Sequence, residues 1–195
     1  MTGPQSPVDD SGGETSIAPT YGSEMRRAMN MLARDPRVVF LGQAVAVAGT
    51  VMRSSLEDID QARLIELPVE EDFQMGMSIG MALAGQIPVS IFPRLNFLML
   101  AMNQLVNHLD KLSKLVETGP VPKVIVRSSI GSERPLDPGP QHKGDLTEGL
   151  RLLVPNLELV RLDCPGDIVP AYERALSRDD GVSTILVEWG DNYAN

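Results

Sequence analysis

Cysteine and histidine are scarce in this sequence, and their scarcity narrows the chemistry first. There is one cysteine, Cys164, and there are two histidines, His108 and His142. A single thiol excludes an internal disulfide framework and a cysteine-rich metal site. Two imidazoles argue against a histidine metal cage. Positive charge is also short: 17 Lys and Arg face 26 Asp and Glu, for a net charge of −9 and a pI near 4.7. No basic stripe is available to neutralise phosphates, so no nucleic-acid partner is expected, while acidic small molecules stay open. No apolar run reaches membrane-spanning length, and the N-terminus has neither a basic n-region nor an apolar h-region. No membrane partner is expected, and the chain reads as cytoplasmic. Neither GxGxxG nor GxxxxGK[ST] occurs, which removes the common phosphate loops.

What is present fits one α/β domain. The 195 residues are 43% hydrophobic and 22% charged, ordinary for a globular chain able to bury a sizeable core. Residues 1–16 are rich in Gly, Pro, Ser and acid, and read as a disordered tail before a domain at 17–195. Ser23 is the expected N-cap of a first helix, with Met25, Ala28, Met29 and Leu32 on one face and Asp35-Pro36 as its stop. Residues 37–41 read as a buried parallel strand. A two-glycine loop follows, then a helix at 55–62 and a strand at 63–67. A central helix ends at Gly85, and a strand follows at 87–92. A long helix over 97–116 carries Leu98, Ala101, Leu105, Leu109 and Leu112, and is closed by Gly119-Pro120. Beyond it lie a strand at 123–127, a Gly/Pro-rich loop at 128–143 long enough to carry function, and a helix at 145–153. Strand 158–161, helix 167–177 and strand 184–188 complete the alternation. The pattern implies a doubly wound, mostly parallel sheet with helices on both faces.

The stretch LPVEEDFQMGMSIGMALAGQIPVSIFPRLNF organises the rest. It sets Glu70, Glu71 and Asp72 at the mouth of a helix with no further charge. Phe73, Met77, Gly80, Met81 and Ala84 mark one face, with Ile79 and Leu83 round the other side. A helix apolar all round is expected to be buried on both faces. Acids at a helix N-terminus also simply complement the helix dipole, which Glu70 or Asp72 could do alone. By the same plain readings His142 is a solvated loop histidine, Phe97 a core residue of the long helix, and Cys164 a structural residue at a strand-to-helix turn.

Taken together, VVFLGQAVAV, LPVEEDFQMGMSIGMALAGQIPV, RLNFLMLAMNQLVNHLDKL, the PQH of the long loop and RDDGVSTILVE change that balance. Five segments in this order resemble the pyrimidine-binding domain of transketolase-type thiamine-diphosphate enzymes, from about Thr20 to Glu188. The likeness is greatest to the beta subunit of the first component of pyruvate and branched-chain 2-oxo acid dehydrogenases. The resemblance implies an active site at a subunit interface and assigns residues one by one. Glu71 falls on the activating glutamate that hydrogen-bonds N1′ of the aminopyrimidine and promotes its 4′-imino tautomer. Desolvation at an apolar helix mouth suits a carboxyl in that role. Phe97 falls where an aromatic ring stacks on the aminopyrimidine, and His142 on the histidine facing the substrate. Gln43 stands near the cofactor where many relatives carry an acid. Pro93 and Arg94 lie in a loop that departs from most relatives.

The resemblance also implies what must come from elsewhere. The GDG motif and downstream Asn pair that hold the diphosphate through Mg²⁺ are missing, so no metal ligands are assigned here. The family's beta subunits continue into a C-terminal domain that this sequence does not contain. The expectation is a subunit active only with an alpha-type partner carrying the diphosphate-binding domain, in an α₂β₂ arrangement. Thiamine diphosphate with Mg²⁺ is the cofactor, and a 2-oxo acid or ketose the substrate. The alternative is a non-catalytic structural or regulatory subunit of the same fold.

Overall fold

Six short β-rich segments, each followed by helical chain, assemble into one parallel sheet in the order β2-β1-β3-β4-β6-β5. The computed structural model describes residues 18–116, 121–131, 133–134 and 137–194. The expected tail at 1–16 and the Gly119-Pro120 stop lie outside these residues. The strands are β1 (Val38–Gly42), β2 (Leu64–Glu66), β3 (Ile87–Phe92), β4 (Ile125–Ile130), β5 (Glu158–Leu162) and β6 (Thr184–Trp189). All five pairings are parallel, as the alternation of strands and helices required. Central strands β3 and β4 are buried at every residue. Among the described residues no helix is long and apolar enough to cross a membrane.

Each face of the sheet carries its own core. On one side lie α1 (Tyr21–Leu32) and α7 (Pro165–Ser177), where Met25, Ala28, Met29, Leu32, Ile168 and Tyr172 meet Phe40 and Leu186. On the other lie α3 (Glu71–Leu83), the helical run 95–115 and α6 (Thr147–Leu153). The run 95–115 has α-helical ends, α4 (Leu95–Leu98) and α5 (Leu112–Leu115), joined through 3₁₀ turns and a π-helical segment at Gln104–His108. Leu98, Ala101, Leu105, Leu109 and Leu112 are all buried along it, as their spacing foretold.

Three local expectations need correction. Thr20, not Ser23, caps α1: its Oγ1 accepts from the Ser23 backbone N–H, so the helix starts three residues earlier. The helix expected at 55–62 is instead the four-residue α2 (Val51–Ser54), capped by Thr50, and a 3₁₀ turn at Gln61–Arg63. Thirdly, α3 is not buried all round. It buries Gln74, Met75, Ser78, Ile79 and Ala82, while Phe73 and Leu83 are each 56% exposed, and Gly80 and Ala84 are exposed as well. Two polar side chains choose that face. Gln74 donates from Nε2 to Ser90 Oγ and to the Ile91 carbonyl, and Ser78 Oγ also meets Ser90 Oγ at 3.0 Å. Buried polar groups must be paired, so these bonds turn α3 onto β3 more decisively than its apolar residues could.

A buried ion pair crosses the other core. Arg127 on β4 and Glu188 on β6 are both 0% exposed and joined through Nε and Oε1. Arg127 also donates to Ser55 Oγ at 2.7 Å and Tyr193 Oη at 3.1 Å. Burial works against the guanidinium's charge, but Glu188 outweighs it and holds the group firmly cationic. Burial first, and then Glu188, push the Tyr172 and Tyr193 hydroxyls well above the ordinary phenol range, so both remain donors.

Candidate active site

In a doubly wound sheet, ligands sit outside the carboxyl ends of the strands where the strand order reverses. Here the reversal falls between β1 and β3. The loops leaving β2, β1, β3 and β4 carry Glu71, Gln43, Phe97 and His142 respectively. These four strands are consecutive neighbours, so all four residues named from sequence gather along one edge.

The β1 end is shaped by a glycine. Gly42 has φ +142°, and a Cβ there would lie 2.1 Å from the Ile91 carbonyl oxygen, so no other residue fits without moving a strand. Past it the chain turns through Ala44, whose φ of +60° is uncommon for a residue with a side chain. Glu66, at the end of β2, stabilises that turn: its two carboxylate oxygens accept from Ala44 N–H at 2.8 Å and Ala46 N–H at 2.7 Å. The loop is thereby held with Gln43 facing Glu71, and Gln43 Nε2 donates to Glu71 Oε1 at 3.0 Å.

The three acids at the mouth of α3 separate by environment. Glu71 is 4% exposed, whereas Glu70 and Asp72 are exposed. Glu70 occupies the N-cap position without making a side-chain cap bond, and Asp72 Oδ2 accepts from Gln104 at the start of the π-helical segment. Only Glu71 is drawn in. Gln74, one turn on, is the anchor that aims it.

Phe97 and His142 lie edge to face, their ring centroids 5.4 Å apart at 64°. Asn96 Nδ2 stands 3.0 Å from His142 Nδ1. The two loops carrying these residues are tied at their bases, where Ser129 Oγ donates to the Pro93 carbonyl at 2.6 Å and Arg94 to that of Gly131 at 3.2 Å. His142 is therefore half-buried and held, not a freely solvated loop residue, and Phe97 is half-buried as well. Cys164 caps α7 through reciprocal bonds with Asp167, in keeping with its structural reading. His108 is exposed. Sequence reasoning passed over Gln74, Asn96 and Glu66. A signal existed for the first, since Gln74 and Ser78 are polar at i, i+4 in an otherwise apolar helix.

A buried carboxyl at a helix mouth can meet the ring nitrogens of an aminopyrimidine, and an aromatic side chain can meet its flat surface. Among the described residues no three His, Cys, Asp or Glu side chains come together as a metal site. Fold and edge thus define a doubly wound, all-parallel α/β domain with a candidate site at the carboxyl ends of its strands.

Comparison with known proteins names that class. Residues 19–194 match the family model "Transketolase, pyrimidine binding domain", and the chain belongs to that family, one of thiamine-diphosphate-dependent enzymes. Its relatives include a pyruvate dehydrogenase E1 component subunit beta from Staurastrum punctulatum, 32% identical over 135 residues, covering 68% of this chain and 40% of that protein. A 3-methyl-2-oxobutanoate dehydrogenase subunit beta from Mycobacterium tuberculosis is 30% identical over 164 residues, covering 80% of this chain and 45% of the relative. The chain thus spans less than half the length of these curated relatives. Among solved structures, the transketolase from Leishmania mexicana superposes with a TM-score of 0.66 at 19% identity, over 91% of this chain and 27% of that one. A split gene transketolase, described as an inactive beta4 tetramer, gives a TM-score of 0.55 at 14% identity over 86% and 49%. Both show the shared fold.

Proposed function

We propose that the chain is the pyrimidine-binding, beta-type subunit of a split thiamine-diphosphate enzyme that cleaves the C–C bond beside the carbonyl of a 2-oxo acid or ketose. The observation that carries this reading is the selective burial of Glu71 beside Gln43 while its two acidic neighbours stay in solvent. When bound, the cofactor supplies a nucleophilic carbon and an electron sink, chemistry that no side chain offers. The chain's own part is to bind, orient and move one proton. Glu71 exchanges that proton with the aminopyrimidine N1′. Gln43, a neutral amide, holds Oε1 by donation and cannot itself relay the proton, which leaves Oε2 to carry it. Phe97 offers the stacking face, and His142 meets the substrate. Diphosphate and Mg²⁺ belong to an alpha-type partner in an α₂β₂ enzyme working in the cytoplasm, and this chain alone does not turn over.

The test is a titration of thiamine diphosphate with Mg²⁺ into the chain mixed with a diphosphate-domain partner, for wild type and Glu71→Gln. The mixture is expected to bind and to turn over a 2-oxo acid or ketose. Glu71→Gln should keep binding and lose turnover by about 10²–10⁴-fold, the usual worth of a positioned acid–base group. A mixture that never binds the cofactor, or full turnover by Glu71→Gln, sinks the reading and leaves a non-catalytic subunit of the same fold.

A further inference from the structure

The contact between Asn96 and His142 joins residues 46 positions apart, from the loops after β3 and β4. Asn96 Oδ1 is buried and has no hydrogen-bond partner among the described residues. Turning the amide over would bury the NH₂ group instead. Two donor hydrogens would then be stranded where one carbonyl oxygen stands now, the costlier arrangement. The amide therefore presents its NH₂ to the ring. That group can only donate, so His142 Nδ1 must accept through its lone pair, and a neutral ring then carries its hydrogen on Nε2.

The ring has little freedom to evade this constraint. Phe97 abuts it edge to face, the His142 N–H closes a 3₁₀ turn onto the Gly139 carbonyl, and Gly139 holds φ +88°. Lys143 pins the same turn by reaching Glu133 and Asp137, each at 3.0 Å. We propose that Asn96 is a positioning residue that holds His142 in its Nε2–H tautomer, so that the imidazole meets the substrate as a hydrogen-bond donor. The tautomer follows from this chain alone. What it donates to, the carboxylate or carbonyl oxygen of a 2-oxo acid, rests on the function proposed above. A carboxylate in place of Asn96 reverses the arrangement, because it accepts from Nδ1–H and moves the lone pair to Nε2.

Long-range ¹H–¹⁵N correlation spectra of the full ¹⁵N-labelled chain, at a pH where the ring is neutral, read the tautomer directly. With two histidines in the sequence, a His108→Gln variant assigns the signals. Wild type should show His142 as a single Nε2–H species. Asn96→Asp should invert it to Nδ1–H, and Asn96→Ala should give a mixture of both, with circular dichroism unchanged. Should Asn96→Asp not fold, Asn96→Ala against wild type decides. An Nδ1–H wild type, or nitrogen shifts identical in wild type and the variants, overturns the proposal. The tautomer is read without cofactor, so its failure is distinct from a mixture that never binds thiamine diphosphate.

Discussion

Replacing Arg127 by methionine should be among the most damaging single changes available to this fold. The substitution leaves Glu188 at 0% exposure with its cation gone, holding only the hydroxyls of Tyr172 and Tyr193, while Ser55 Oγ loses its donor. Removing one member of a buried ion pair costs about 3–5 kcal/mol, because the remaining charge is left without compensation. Whole domains are stable by only about 5–15 kcal/mol. The loss is therefore about a fifth of the total or more, and at about 2–4 °C per kcal/mol it lowers the melting temperature by roughly 6–20 °C. Urea unfolding can be followed through Trp189, the chain's single tryptophan, which directly follows Glu188 on β6. Arg127→Met combined with Glu188→Leu should lose less than the sum of the two single changes by about 1 kcal/mol or more, since the pair acts as a unit. A loss under about 1 kcal/mol for the single variant, or strict additivity in the double, would refute the reasoning.

Two further outcomes can be checked on the purified chain. Gly42→Ala forces a Cβ against the Ile91 carbonyl at a backbone angle that side chains avoid, and should lower stability by about 1–3 kcal/mol or more; an unchanged melting temperature contradicts the close approach of β1 and β3. Burial raises the pKa of Asp110, but hydrogen bonds from Lys111 and Asn156 outweigh it and hold the carboxyl below the usual range. Its folded value is depressed, so its contribution is full above the unfolded value of about 3.9 and is lost as pH falls through the folded value. Stability of Asp110→Asn should then fall less steeply than wild type below about pH 4 in acid titrations of the melting temperature, and parallel slopes would count against it.

Much of this architecture could be read from the chain because parallel strands buried on both faces leave short apolar, β-branched runs. All six strands fall within three residues of the expected bounds. Glu71, Gln43, Phe97 and His142 could be named because each lies in a recognisable segment and each follows a strand. The face presented by α3 was not legible. When a helix is apolar all round, periodicity cannot choose a side, and the choice was made by Gln74 and Ser78 against Ser90, contacts between elements 12 to 16 residues apart. The Asn96–His142 contact was hidden for the same reason, since it exists only once β3 and β4 lie side by side. The short α2 was masked by the small residues before it, whose propensities favour no one element.

The Arg127–Glu188 pair also bears on how the chain is made. Residues are added from the N-terminus, and Arg127 emerges 61 positions before Glu188 and 66 before Tyr193. Until those partners exist, docking β4 in its final place would bury a guanidinium bonded to Ser55 but without its counter-charge, at a cost of several kcal/mol against a domain stability of about 5–15 kcal/mol. The first four strands, which carry every residue of the site, thus cannot lock into their native arrangement during synthesis. The last strand acts as a completeness check, and the edge with the candidate site becomes rigid only when the code for Glu188 and Tyr193 has been read.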